Sequence, residues 1–195
     1  LLEGRRIDDL PPEQMRKVRG RKIGAIFQDP LTSLNPLYSV GRQLVETIVT
    51  HLPVNQAEAR RRANQLLRDT GIPAAEERID HYPHQFSGGM RQRVVIALAL
   101  AAEPQLIVAD EPTTALDVSI QAQIITLLKT ICKERGAAVM LITHDMGVIA
   151  ETCDRVAVMY AGRIAEIGPV HNVINHPAHP YTRGLMACIP DMDID

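Results

Sequence analysis

The chain has 195 residues, of which 46% are hydrophobic and 23% charged, and its formal net charge is −2. This composition is ordinary for a globular domain, and the slight acidity gives no support to a nucleic-acid polyanion as partner. The longest apolar run, residues 94–102, falls far short of the roughly 20 residues that a membrane-spanning helix needs. Three cysteines without paired spacing favour a reducing compartment.

In the first part of the chain, the sequence predicts short strands followed by helices. Residues 4–7 are interpreted as the end of a strand, and Pro12 opens a short polar helix. Residues 22–27 form a predicted buried strand with Gln28 at its exit. Between residues 34 and 67, apolar side chains recur about one helical turn apart among arginines, which indicates an inserted helical region.

The second half alternates helices and strands. A helix is predicted up to residue 102, followed by a strand at residues 106–109, a helix at residues 118–135 and a further buried strand at residues 138–143. This alternation indicates a parallel sheet. The apolar period then changes to two, which predicts an antiparallel hairpin over residues 156–167.

Two adjacent carboxylates follow the apolar run 106–109. Open α/β sheets bind ligands at the carboxyl ends of their strands, so Asp110 could hold a magnesium ion through water while Glu111 deprotonates the water that attacks a nucleotide. His144 follows the next strand, where its imidazole could hydrogen-bond a terminal phosphate. The plain alternatives are two solvated acids that cap a turn and a structural histidine. The shared sheet edge favours the functional interpretation.

Two further groups suit a metal-bound water or an anion. Gln28 carries a side-chain amide that can bind magnesium or hold a water. Ser87, Gly88, Gly89 and Met90 form a predicted helix start, where unpaired backbone N–H groups and the helix dipole attract a phosphate. The alternative is an N-cap serine followed by glycines that permit close packing.

Taken together, these residues resemble the motifs of the nucleotide-binding domain of ABC transporters. Gln28 matches the Q-loop, residues 87–90 match the signature motif, and residues 106–110 match the Walker B strand. Glu111 matches the catalytic glutamate, residues 115–117 match the D-loop, and His144 matches the switch histidine. Two positions depart from the family pattern, since Phe86 replaces a leucine and Met90 replaces a glutamine. Neither change removes the Ser-Gly-Gly contact with an anion.

The resemblance implies an α/β fold of the P-loop NTPase type, with a mostly parallel sheet, an inserted α-helical subdomain and an incomplete amino terminus. ATP and Mg²⁺ are the implied ligands. Glu111, His144 and Gln28 would be catalytic, and Asp110 with Gln28 would hold the magnesium through water. The nucleotide would also contact the signature residues and the D-loop aspartate: Ser87, Gly88, Gly89, Met90 and Asp117.

The resemblance also implies a division of the chain into four parts. Residues 1–33 would be a partial core sheet with the Q-loop, and residues 34–102 the helical subdomain with the signature. Residues 103–170 would form the catalytic core, and residues 171–195 a carboxy-terminal extension.

Four shorter segments resemble the oligopeptide and dipeptide importer branch, whose relatives also carry nickel or glutathione: residues 27–30, 33–36, 82–84 and 179–182. This resemblance implies a subunit that powers import and works with transmembrane permease subunits, a second ATPase subunit and, indirectly, a solute-binding protein. No nucleic acid is expected as partner. The implied location is the cytoplasmic face of the inner membrane, as a peripheral subunit.

No glycine in the sequence is followed by lysine, so the phosphate-binding loop GxxxxGK[ST] is absent from it. The family places that loop upstream of Leu1, and we therefore expect negligible ATPase activity from these 195 residues alone. Two alternatives are a soluble ABC ATPase that acts on nucleic acid and a non-catalytic truncated remnant.

Three side-chain groups have plainer interpretations. The histidines of the tail could suggest zinc, but no paired cysteine accompanies them. The arginines at residues 60–62 are interpreted as a solvated helix face, and Cys132 and Cys188 as small buried hydrophobes.

Overall fold

The computed structural model describes residues 1–114 and 116–188. The chain divides into two compact units, Leu1–Ile142 and Thr143–Asp195, each of which has its own internal packing. The longer unit combines a parallel sheet with helices. The shorter unit is built on an antiparallel hairpin.

The sheet of the first unit has three parallel strands in the order β1-β2-β3: Ile23–Ile26, Leu106–Asp110 and Ala138–Ile142. Ile26 lies beside Ala109, and Asp110 lies beside Ile142. All three strands therefore end at the same edge of the sheet. This arrangement confirms the parallel sheet that the alternating sequence pattern predicts.

Seven helices belong to the described part of the first unit, α1 to α7: Pro12–Val18, Pro30–Ser33, Val40–His51, Gln56–Asp69, Ala75–Arg78, Gly88–Leu100 and Val118–Glu134. A short 3-10 helix covers Pro83–Gln85. Side-chain oxygens cap three of the longer helices, because Ser39, Asn55 and Ser87 accept backbone N–H bonds from the first turns of α3, α4 and α6.

The core of the first unit joins the helices to the sheet. Leu44 and Ile48 of α3 and Ile96 of α6 are fully buried in the same cluster as Ile107 of β2. Helix α6 packs directly on β1, where Gly24 leaves room for the backbone oxygen of Ala99. A continuous core therefore fixes where β1 and β2 end, and with them the residues that follow.

The second unit contains α8 (Met146–Thr152), β4 (Arg155–Tyr160), β5 (Arg163–Pro169), α9 (Val170–Asn175) and α10 (Pro180–Ala187). β4 and β5 form the antiparallel hairpin that the sequence predicts. The carboxylate of Glu166 accepts backbone N–H bonds from Ala178 and His179 at 2.8 and 3.0 Å, which fixes the start of α10 against the hairpin. None of the described helices is long and apolar enough to cross a bilayer.

Three expectations from the sequence are wrong. Residues 4–7 are not a strand end: Glu3 and Gly4 have positive φ angles and make a tight turn, closed by an isolated bridge between Leu2 and Arg5. Cys188 is exposed rather than buried, because it caps the end of α10.

The third wrong expectation concerns β3, which is not buried. Val139, Met140 and Ile142 are 38%, 49% and 46% exposed. Among the described strands β3 pairs with β2 alone, so one long edge of β3 has no neighbouring strand in that part of the chain. Apolar content indicates a strand here but does not report whether that strand is covered.

Candidate functional site

The side chains of Gln28 and Glu111 meet at the carboxyl edge of the sheet. The Nε2 amide of Gln28 donates to Oε2 of Glu111 at 3.2 Å, across 83 positions of sequence. Gln28 leaves β1, and Asp29 caps α2 directly after it by accepting the backbone N–H of Leu31. The cap turns the chain immediately after Gln28, so its amide stays beside the end of β2.

Glu111 leaves the sheet through an unusual backbone. Its φ is +42°, in the left-handed region, and its N–H donates to the carbonyl of Ile142 in β3 at 2.9 Å. A turn follows, in which the N–H of Thr114 donates to the Glu111 carbonyl at 3.3 Å. Pro112 occupies the position of this turn that favours proline. The half-buried Glu111 is therefore held by backbone bonds on both sides.

Thr114 is a site residue that the sequence reasoning missed. Its hydroxyl Oγ1 lies 2.7 Å from Oε2 of Glu111. A carboxylate can only accept, so the threonine hydroxyl is the donor. The signal available in the sequence was the Glu-Pro-Thr-Thr run, in which a proline turn brings the fourth residue back to the first.

Asp110 is the last residue of β2 and its side chain is exposed at the same sheet edge. It lies beside Ile142 in the register with β3. Within residues 1–114 and 116–188, no group of three or more His, Cys, Asp or Glu side chains could hold a metal ion. The donors present are carboxylate and amide oxygens, which suit a cation that keeps most of its waters, as magnesium does.

The predicted signature segment begins helix α6. The hydroxyl of Ser87 accepts the N–H of Met90 at 3.4 Å, so the plain N-cap role is realised. Gly89 permits a close approach, because a Cβ at this position would lie 3.0 Å from Ile120, whereas a Cβ on Gly88 would make an ordinary contact of 3.7 Å with Leu116. The start of α6 therefore packs against the segment that leads into α7.

The predicted D-loop is described in part. Ala115 lies outside the described residues. Asp117 stands at the N-cap position of α7, with an extended backbone and without a side-chain cap bond. Its exposed carboxylate is therefore not committed to capping α7.

His144 belongs to the second unit, two residues after the end of β3. Asp145 follows it and caps α8 by accepting the N–H of Val148 at 3.1 Å. The expectation that His144 reaches the same phosphate as Glu111 stays a prediction.

The arginines at residues 60–62 are paired with nearby carboxylates. Arg60 forms a two-pronged ion pair with Asp80, and this guanidinium holds the pKa of Asp80 below its usual value. Arg61 and Arg62 both bond Glu58, and Arg62 also reaches Glu103. The arginine run is thus a salt-bridged helix face.

The amide and the two carboxylates lie at the carboxyl edge of a parallel sheet, which is where open α/β folds bind their ligands. The sequence matches the family described as ABC transporter over residues 1–114, and the family described as oligopeptide/dipeptide transporter, C-terminal region, over residues 165–195. The first match covers more than half of the chain. The chain therefore belongs to the ABC transporter family, as the motifs in its sequence predict.

Similar proteins carry peptide-transport names. The chain is 53% identical over 193 residues to the oligopeptide transport ATP-binding protein OppD of Bacillus subtilis (strain 168), a match that covers 99% of this chain and 54% of that protein. It is 50% identical over 195 residues to the dipeptide transport ATP-binding protein DppD of the same organism, covering 100% of this chain and 58% of the relative. The chain thus spans a little over half the length of these relatives.

Solved structures agree on the fold. The dimeric post-hydrolysis structure of the ATP-binding cassette MJ0796, bound to ADP and Pi, matches with a TM-score of 0.71 and 33% identity, covering 84% of this chain and 69% of that one. The cbiO1 protein of Clostridium perfringens, part of an ABC transporter complex, matches with a TM-score of 0.70 and 33% identity, covering 83% and 61%. The α/β ATPase fold expected from the sequence is confirmed.

Proposed function

We propose that this chain is part of an ATP-binding subunit that hydrolyses ATP to power an ABC importer of peptides. The observation that carries the proposal is the bond between Gln28 and Glu111 at the carboxyl edge of the sheet, 3.2 Å long. It joins the two residues that the family motifs assign to nucleotide chemistry. The names of the relatives, which are oligopeptide and dipeptide transport proteins, support the choice of cargo.

Glu111 is the proposed general base, with Gln28 beside it. A base must lie within hydrogen-bond reach of the water that it deprotonates, and the half-buried Glu111 follows the exposed Asp110 at the carboxyl edge of the sheet. Asp110 and Gln28 would hold Mg²⁺ through its water shell. When bound, this ion neutralises charge on the phosphates, and the protein groups supply orientation.

The start of α6 is the proposed contact for a nucleotide held by a second ATPase subunit. Ser87, Gly88, Gly89 and Met90 form the start of a 13-residue helix, where backbone N–H groups and the helix dipole favour an anion, and the N–H of Met90 itself is bonded to the hydroxyl of Ser87. Asp117 is proposed to contact the same nucleotide. His144 is proposed to hydrogen-bond a terminal phosphate from its place two residues after β3. The partner copy would supply the opposite side of the site.

The proposed membrane partners are permease subunits, and the proposed location is the cytoplasmic face of the inner membrane. The segment after β1 supports a contact with the permease subunits. Phe27, just before Gln28, and Leu31, three residues after it, are 60% and 59% exposed. Isolated exposed apolar residues are common, but a pair on the segment that carries Gln28 could transmit nucleotide state to a partner. A solute-binding protein would act indirectly, through the permease.

The test uses the full-length gene product with its permease subunits in proteoliposomes. We expect ATP hydrolysis and uptake of labelled di- and oligopeptides, both lost in Glu111→Gln, whereas Glu134→Gln at the exposed end of α7 leaves both unchanged. Wild-type turnover by Glu111→Gln would refute the assignment of the base. ATP-driven uptake of nickel or glutathione without peptide uptake would refute the cargo.

A further inference from the structure

One oxygen of Glu111 accepts two side-chain hydrogen bonds. The hydroxyl of Thr114 donates to Oε2 at 2.7 Å, and the amide of Gln28 donates to the same atom at 3.2 Å. The threonine bond is the shorter one and falls at the most frequent distance for a hydroxyl donor. Bonds to an ionised acceptor are also the stronger kind.

Local geometry explains why Thr114 reaches this carboxylate. The turn from Glu111 to Thr114 is closed by the backbone bond of 3.3 Å between the same two residues. Pro112 fixes one φ angle inside the turn. Thr114 thus donates two hydrogen bonds to Glu111, one from its backbone N–H and one from its hydroxyl. The side chain of Thr114 is otherwise exposed, so its hydroxyl is not needed to fill the core.

We propose that Thr114 is a positioning residue for the hydrolytic reaction: its hydroxyl bonds Oε2 of Glu111 and so fixes the orientation of the carboxylate toward the attacking water. The proposal rests on the proposed function, because it requires Glu111 to be the general base. Gln28 belongs to a segment that turns into α2, whereas Thr114 lies three residues from Glu111. The bond from Thr114 is therefore local and does not depend on the position of the Gln28 segment.

The proposal predicts a specific kinetic effect. Thr114→Val keeps the branched shape and loses the donor, so the carboxylate rotates more freely and is less often aligned with the water. We expect kcat to fall by about tenfold, which is less than the roughly 10²–10⁴-fold that general acid–base catalysis contributes because Glu111 itself remains, while the KM for ATP stays the same. Thr114→Ser keeps the hydroxyl and should restore most of kcat.

The experiment measures ATP hydrolysis by the full-length protein, with the permease subunits, for wild type, Thr114→Val, Thr114→Ser, Thr130→Val and Glu111→Gln. Thr130 is the matched control, because it is an exposed threonine on α7 away from the sheet edge. Circular dichroism of each variant verifies that it is folded.

A selective loss of kcat in Thr114→Val, with recovery in Thr114→Ser, supports the positioning role. Wild-type kcat in Thr114→Val, or an equal loss in Thr114→Ser, overturns it, as does a loss that appears entirely in KM. These results differ from failure of the proposed function. In that case Glu111→Gln itself would keep wild-type turnover, whatever Thr114 does.

Discussion

Gly24 is the position in the sheet where the addition of one methyl group should lower the free energy of unfolding most. It is buried in β1, beside Ile107 of β2. A Cβ at this position would lie 2.5 Å from the backbone oxygen of Ala99 in α6 and 2.7 Å from Cδ1 of Ile107. Folded proteins essentially never hold a Cβ closer than 3.0 Å to such an atom, so β1 and α6 must separate by about half an ångström.

The net cost of Gly24→Ala follows from two opposing effects. Overpacking a core by one methyl group costs about 1–3 kcal/mol. Replacing a glycine inside a strand recovers up to about 1 kcal/mol of backbone entropy. Because the helix carbonyl cannot rotate away as a side chain can, we expect a net loss of about 1–2 kcal/mol in the free energy of unfolding. Displacement of β1 should also lengthen the bond from Gln28 to Glu111.

The assay is urea unfolding followed by far-UV circular dichroism, since the chain has no tryptophan. Ile107→Val provides the second half of a double-mutant cycle, because it removes the Cδ1 atom and leaves the Ala99 carbonyl in place. Ile107→Val should cost less in the Gly24→Ala background than alone, and the double variant should remain less stable than Ile107→Val. If Gly24→Ala unfolds at the wild-type urea concentration, the packing argument is refuted.

Two further predictions concern the hairpin unit and the cysteines. The N–H of Ala178 holds the pKa of Glu166 below its ordinary value of 4.5. A lowered folded-state pKa means that the stabilisation is complete above the unfolded-state pKa and disappears as the pH falls through the folded-state pKa. In thermal melts between about pH 3 and pH 7, the melting temperature of Glu166→Gln should therefore fall less with acid than that of wild type. An equal fall in both proteins would contradict a stabilising role for the bonds from Ala178 and His179 to Glu166. Burial raises the pKa of Cys132 to about 11, whereas Cys188 is exposed. A maleimide at about pH 7 should label Cys188 first and Cys132 only after unfolding, as measured by peptide mass spectrometry, and labelling of both at one rate would contradict the burial.

Much of the fold was predictable because local signals agree with the final packing. Residues 88–100 form an apolar helix that begins after an N-cap serine, and both features are visible in the sequence. The apolar run 106–109 lies in a strand of the parallel sheet, as its composition predicts. The meeting of Gln28 and Glu111 at one edge of the sheet was also predictable, because parallel strands end on the same side.

Other features depend on contacts that no local pattern reports. The exposure of β3 depends on which strands pair with it. The exposure of Cys188 depends on where α10 ends, which its composition does not reveal. Thr114 was missed because it is not a charged side chain. The Glu-Pro-Thr-Thr run indicates a turn, but the bond from the Thr114 hydroxyl to Glu111 also depends on the left-handed backbone of Glu111, which the sequence does not reveal.

The backbone of Glu111 links local strain to the proposed chemistry. A left-handed φ costs a residue other than glycine about 1–2 kcal/mol, and Glu111 has no short side chain to relieve that cost. Its N–H bond to Ile142 and its bonds from Thr114 and Gln28 offset the cost. An ordinary strand conformation would carry Glu111 onward along β2, away from these donors. The strained conformation turns the carboxylate to the sheet edge, so the strain is part of how the proposed base is positioned.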